Sequence, residues 1–229
     1  MQEAKQIARL DFTEIDPYFD NLLKDIGVGK HESQFKKNRL VFCQGDEADA
    51  VYFIRSGMVK VFVHSGQGRE AVLAMVGPRE FFGEGCLVGQ PLRMGTAKTI
   101  EPSTVFRIQK QAMLQALRAQ GKLAEIFTAA LLTRNIDLEE DLCDHLLNDS
   151  EKRLGRVLLK LCRFDRDADK PNAKVPRLSH ETLADMVGTT RSRITFFMNK
   201  FKTLGLIDYT GTGDVTVREE LMTDVVLND

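Results

Sequence analysis

Between Met186 and Ile207 the chain carries Arg191, Arg193, Lys200 and Lys202 and no acidic residue. Such a run suits a polyanion, because each cation can neutralise a phosphate. A solvated helix face is the other reading. The spacing is that of an amphipathic helix. Ile194, Phe197, Met198, Phe201 and Leu204 fall on one stripe and are expected to be buried. Ser192, Thr195, Phe196 and Asn199 then point outward. Arg191 sits in the first turn, where a recognition helix enters the major groove. Arg193, Lys200 and Lys202 flank that face and suit phosphates. The cysteines at 43, 86, 143 and 162 form no C-x-x-C pair and show no metal-ligand spacing. A reducing cytoplasm is therefore expected, with no disulfide framework. There is no nucleophile–base pair, metal set or P-loop to suggest an enzyme.

Around the basic helix stand the elements that would position it. Ser179 is a suitable N-cap for a short helix, His180 to Val187. Gly188 breaks that helix, Thr189 or Thr190 caps the next, and Gly205 ends it. A hairpin with Gly211-Thr212-Gly213 at its tip follows, between Leu206 and Val217. Short helix, glycine turn, basic helix and hairpin make a winged helix-turn-helix, so double-stranded DNA is the expected partner. Glu151 to Phe164 reads as a supporting helix, and Asp165 to Pro176 as a polar loop.

Upstream the periodicity changes. Val51-Tyr52-Phe53-Ile54 is a compact apolar run, and Val59, Val61 and Val63 share one face. Ser65–Gly68 and Gly77-Pro78 punctuate the strands, which predicts an all-β barrel or jelly roll over roughly 35–108. Residues 1–30 read as a short helical lead-in. Gln109 to Leu147 has no proline and one glycine, which predicts one long helix. Ala124, Leu131, Leu138 and His145 recur by seven, with Thr128, Asn135 and Leu142 offset by four. That seam predicts a homodimer through Leu131, Asn135, Leu138 and Leu142. A single helix lying on its own β domain is the plainer alternative. The 229 residues thus divide into a β sensor domain (1–109), a central dimerisation helix (110–149) and a DNA-binding domain (150–229), an α+β chain. No apolar run reaches the roughly 20 residues of a membrane span, so no membrane partner is expected.

Three stretches carry a resemblance. Phe42 to Val61, Phe82-Gly83-Glu84-Gly85 through Arg93, and Leu183 to Arg191 are similar, in that order, to the β-roll signature, phosphate-binding cassette and helix-turn-helix of the cyclic-AMP receptor protein/FNR superfamily. The resemblance implies a homodimeric transcription regulator with a jelly-roll sensor, a long central helix and a winged-helix reader. RNA polymerase is a further implied partner. It also implies an effector site. Backbone N–H groups of the cassette turn and the Arg93 fork would hold a phosphate. Glu84 would accept from a ribose hydroxyl, and Gly83 and Gly85 would allow close approach. A β-turn with a surface Arg–Glu pair is the simpler reading of the same residues.

The chain departs from the cyclic-AMP pattern. Met94 stands where the family's cyclic-AMP binders place Ser directly after the cassette Arg. Asp141 and Leu142 stand at the adenine-contacting Thr-Ser pair. Both changes remove donors, so cyclic AMP is not expected to bind in the usual mode. No cysteine precedes residue 43, so an iron–sulfur cluster is not expected. Haem is not expected either: Cys86 and His64 read as core residues, although Cys86 near Arg93 is a candidate redox thiol. In the reader, Ser192 replaces the family's Glu and Phe196 its second Arg, which predicts a different half-site. A cyclic-nucleotide-binding protein acting through a protein partner is the alternative function. It has no need of the basic helix and hairpin.

Overall fold

The computed structural model describes residues 26–64, 66, 68, 70–164, 173–176, 178–209 and 215–227. The helical lead-in lies outside them up to residue 25, as do the glycines at the hairpin tip. The chain forms two compact units. One comprises residues up to Val63 with Ala74–Glu139, the other His64–Leu73 with Glu140–Asp229.

The first unit is the expected β-roll. Two four-stranded sheets run in the orders β1-β8-β3-β6 and β2-β7-β4-β5. Their strands are β1 Lys30–Phe35, β2 Leu40–Phe42, β3 Ala50–Ser56, β4 Val59–His64, β5 Glu70–Val76, β6 Phe81–Phe82, β7 Thr96–Thr99 and β8 Ser103–Gln109. The apolar run at Ala50–Ile54 has a physical reason, because β3 is buried on both faces. Ala50, Tyr52 and Ile54 join a core with Phe42, Phe82, Ala97 and Val105. Val51 and Phe53 join a second core with Phe106, Ile108 and the helical Met113, Leu123, Ile126 and Phe127. A strand covered on both sides has no solvent face on which to alternate polar residues.

The predicted single helix over 110–149 is two. Helix α1 spans Lys110–Ala119 and α2 spans Gly121–Leu147. Between them Gln120 is extended, at φ −123° and ψ 93°. The break lets Met113 and Ala116 on α1 and Leu123, Ile126 and Phe127 on α2 reach one core. Leu131 is partly buried against that same core, so it faces inward. Asn135 is exposed and donates to Glu139 Oε1 at 2.7 Å. Leu138 and Leu142, 51% and 60% exposed, point to solvent with Leu132 and Leu146.

In the second unit, α3 Ser150–Cys162 is capped by Asp149, whose side chain accepts from Glu151 N and Lys152 N. Buried Asp144, near the end of α2, pairs with Arg156 at 2.7 Å. Helices α4 His180–Val187 and α5 Arg191–Thr203 follow the expected boundaries and caps. The hairpin strands β10 Ile207–Tyr209 and β11 Val215–Val217 are joined by β9 Ala173–Val175, which pairs with β11. Strand β9 lies within the Asp165–Pro176 segment expected as a polar loop. Its two apolar residues were too few to show an alternation, yet both are buried. A last helix, α6 Glu219–Leu227, went unpredicted. Leu204, expected in the buried stripe, is exposed because α5 ends one residue earlier and Gly205 turns the chain away at φ 72°.

Gly188 carries two constraints at once. Its φ of 69° is left-handed, and a Cβ there would stand 2.8 Å from His145 Nε2. The turn between α4 and α5 therefore depends on glycine for both its conformation and its space.

Candidate nucleic-acid interface and cassette

Helix α5 is built from its buried side outward. Ile194, Phe197, Met198 and Phe201 are buried and hold it to the unit. Arg191, Ser192, Phe196 and Asn199 are exposed. Phe196 is 65% exposed and meets the Phe197 ring edge-on at 5.7 Å. Thr190 caps the helix by accepting from Arg193 N, and its hydroxyl lies 3.1 Å from Ser192 Oγ. Arg191 has no side-chain partner among the described residues, so its planar fork is available to an acceptor pair such as a guanine edge. Arg193 lies over the Phe197 ring at 5.8 Å and Lys202 over the Tyr209 ring at 5.2 Å.

Two residues of this face are already engaged within the unit. Lys200 pairs with Glu151 of α3, at 2.7 Å to Oε1. Thr195 is half-buried and donates to the Arg191 carbonyl at 3.0 Å, while His180 Nδ1 lies 2.8 Å from its hydroxyl. Glu151 and His180 escaped the sequence reading. They lie 49 and 15 residues from their partners, and no local pattern joins them. Arg153 was missed for the same reason. It donates to Val187 O and Asn148 O, both at 3.0 Å, and ties α3 to the end of α4.

The cassette has its own geometry in the first unit. A 3-10 turn, Glu84–Val88, is flanked by Gly83 and Gly89, both left-handed. The Arg93 side chain turns inward. Only 5% exposed, Arg93 donates from one terminal nitrogen to Gly83 O at 2.8 Å and from the other to Ala50 O at 2.7 Å. Its guanidinium lies over Phe42 at 4.6 Å and Tyr52 at 5.3 Å. A Cβ on Gly83 would approach the same group to 2.8 Å. Asp49 stands 3.8 Å from Arg93 and also pairs with Arg107. The Arg93 fork is thus spent on backbone carbonyls, and only its buried Nε lacks a partner.

The remaining cassette groups are also committed. Glu84 is held by Arg134 of α2 at 2.5 Å, and Arg134 also donates to Phe81 O. Gln90 Oε1 occupies the space beside Gly85, 1.9 Å from where a Cβ would stand. Met94 is exposed and has no donor to offer. These residues, as arranged, do not fit a cyclic phosphate. Asp141 belongs to the second unit, where it pairs with Lys160 at 2.5 Å. Cys86 is fully buried, with its Sγ 3.5 Å from Gly83 O. Burial pushes this thiol up, against the smaller opposing pull of Arg93 and Lys110. A thiol in that state is a poor nucleophile, so Cys86 is a packing residue. Among the described residues no three His, Cys, Asp or Glu side chains gather as a metal set. Nor is any described helix long and apolar enough to cross a membrane.

A β-roll joined through a long helix to a reader with an exposed, acid-free helix defines a DNA-binding transcription regulator. Residues 32–120 match the cyclic nucleotide-binding domain, and residues 152–222 match the Crp-like helix-turn-helix domain. The chain is 30% identical to the cyclic AMP receptor protein of Thermus thermophilus, over 84% of this chain and 86% of that one. It is 28% identical to the global nitrogen regulator of Synechococcus elongatus, over 81% and 86% of the two chains. The solved structure of FixK2 from Bradyrhizobium japonicum shares the fold, with a TM-score of 0.75, 18% identity and coverage of 87% and 98%. The chain belongs to the cyclic-AMP receptor protein/FNR family, whose members are transcription regulators and not enzymes.

The inward Arg93 makes one prediction about stability. Arg93→Ala takes the guanidinium donors from the Gly83 and Ala50 carbonyls and strips the packing over Phe42 and Tyr52. Urea unfolding is expected to show a loss of about 2–4 kcal/mol. An unchanged midpoint and slope would mean that the guanidinium is not structural.

Proposed function

We propose that this chain is a homodimeric, sequence-specific transcription regulator that reads an interrupted palindrome. The carrying observation is the free Arg191 fork in the first turn of a helix whose opposite side is buried. Ser192, Phe196 and Asn199 share the exposed face and read bases beside Arg191, Phe196 through a thymine methyl. Thr190, at the helix start, approaches a phosphate, as do Arg193 and Lys202 from the flanks. Lys200 does so only after releasing Glu151. The protein works in the cytoplasm with RNA polymerase as a partner. Duplexes selected from randomised DNA by the wild-type protein test this reading. Arg191→Ala is expected to cost about 1–3 kcal/mol per half-site and to relax preference at one symmetric position. A variant with unchanged affinity and preference would remove Arg191 from base reading.

The exposed row of Leu138 and Leu142, with Leu132 and Leu146, supports the two-fold dimer. Two readers then meet half-sites about 34 Å apart. Leu138→Asp places a carboxylate in that seam and is expected to yield monomers by sedimentation. A monomeric wild type would overturn the assembly.

The β-roll senses something other than cyclic AMP held in the family's usual way. Arg93 is spent on carbonyls, Glu84 on Arg134, and Met94, Asp141 and Leu142 offer no hydroxyl. With about 1 kcal/mol or more lost per missing donor, cyclic AMP is expected to bind at least about 100-fold more weakly than to a relative that keeps them. Low-micromolar binding in a calorimeter would contradict this.

A further inference from the structure

A helix ends on carbonyls that have no donor within it, and that end is the negative pole of its dipole. One guanidinium serves two such ends here. Arg153, in the first turn of α3, donates from Nε to the carbonyl of Val187, the last residue of α4. From a terminal nitrogen it donates to the carbonyl of Asn148, which directly follows α2. Both bonds are 3.0 Å long. The contacts around it hold the same ends together. Asp144, buried near the end of α2, accepts from Asn148 Nδ2 at 3.0 Å and pairs with Arg156 of α3 at 2.7 Å. His145 packs beside Gly188, where it leaves no room for a Cβ. Asp144 and Arg156 join α2 to α3, whereas Arg153 also bonds the segment that leads into α5. Two residues past Gly188, Thr190 caps α5 and Arg191 opens it. The exposed Leu142 and Leu146 lie on the last turns of α2, in the same unit.

We propose that Arg153 is a positioning residue that sets the distance between the two readers of the dimer, and with it the spacer the protein accepts between half-sites. The proposal rests on the dimeric DNA-reading function above. A base pair added between half-sites moves them about 3.4 Å apart and turns one relative to the other about the duplex axis. A dimer rejects that spacer only if its readers cannot follow. Along the chain, α3, β9 and α4 separate the end of α2 from the start of α5. Arg153 closes that path with two hydrogen bonds, so the recognition helix is held to the helix that carries the seam. Its donors are used within the protein, and it acts on DNA through the Val187 carbonyl and the turn beyond it. A planar fork holds two carbonyls at fixed angles, which an ammonium on a flexible stem does not.

The full chain is used to select duplexes that carry two half-sites and a spacer of variable length. Fluorescence anisotropy then compares the preferred spacer with one a base pair longer. The wild type is expected to prefer one spacer and to bind the longer one at least about tenfold more weakly. Arg153→Met keeps the stem without the donors, and Arg153→Lys keeps the charge without the fork. Both are expected to retain the wild-type choice of bases within each half-site, while the two spacers differ by less than about threefold. Retained base choice shows that the reader is folded. A variant that loses base choice, or all binding, would make Arg153 a residue of the reader's fold and overturn the proposal. So would either variant staying as strict as the wild type, or a wild type indifferent to spacer length. A wild type that selects isolated half-sites, or no duplex, would instead overturn the dimeric DNA-reading function.

Discussion

A buried guanidinium must find acceptors, and the β-roll unit is arranged around that requirement. Arg93 takes the carbonyls of Gly83 and Ala50, one from the turn into the 3-10 segment and one from β3. Phe42 and Tyr52 exclude water from its faces. Without acceptors, the charge would carry a desolvation penalty far larger than the worth of any single contact. The cassette conformation, the first residue of β3 and the aromatic packing of Phe42, Tyr52 and Phe82 are therefore fixed together. Freeing this fork for an anion means replacing both carbonyl bonds.

The reader follows a different logic, in which the exposed groups differ by what already holds them. Thr195, Lys200 and Lys202 each have a partner within the unit. Arg191 and Phe196 are the groups with most to gain from a surface placed against them. Phe196 keeps an aromatic ring in water, and covering a side chain of that kind is worth about 1.5–3 kcal/mol. Arg191 brings direction where Phe196 brings apolar area. The His180–Thr195 contact joins α4 to α5, and Arg153 ties the end of α4 to α3.

Much of this was legible in the sequence because it is periodic or punctuated. The stripe from Ile194 to Phe201, the caps Ser179 and Thr190, and the breaks at Gly188 and Gly205 each leave a local signature. The compact run at β3 betrays a strand covered on both sides. What escaped was decided across distance. Glu84 and Arg134 are 50 residues apart, and Arg93 reaches back 43 residues to Ala50. The simpler reading of the cassette places Arg93 in a surface pair with Glu84, whereas the folded sheets bury it against the Gly83 and Ala50 carbonyls. The helix breaks at Gln120, just before Gly121, and the break brings residues of both α1 and α2 onto one core. The strand at Ala173–Val175 is too short to have a period at all.

Strand β3 has a consequence for how this protein can change over time. Five consecutive side chains, Ala50 to Ile54, serve two separate cores in alternation. A substitution at any of them is felt by a packed neighbour, and there is no solvent side on which variants accumulate unnoticed. Altered residues in this strand must arrive with a compensating change on the facing sheet or on α1 and α2. The exposed side of α5 carries no such obligation. A lineage descended from this chain would thus revise the exposed face of α5 sooner than it revises the strand at the centre of its β-roll.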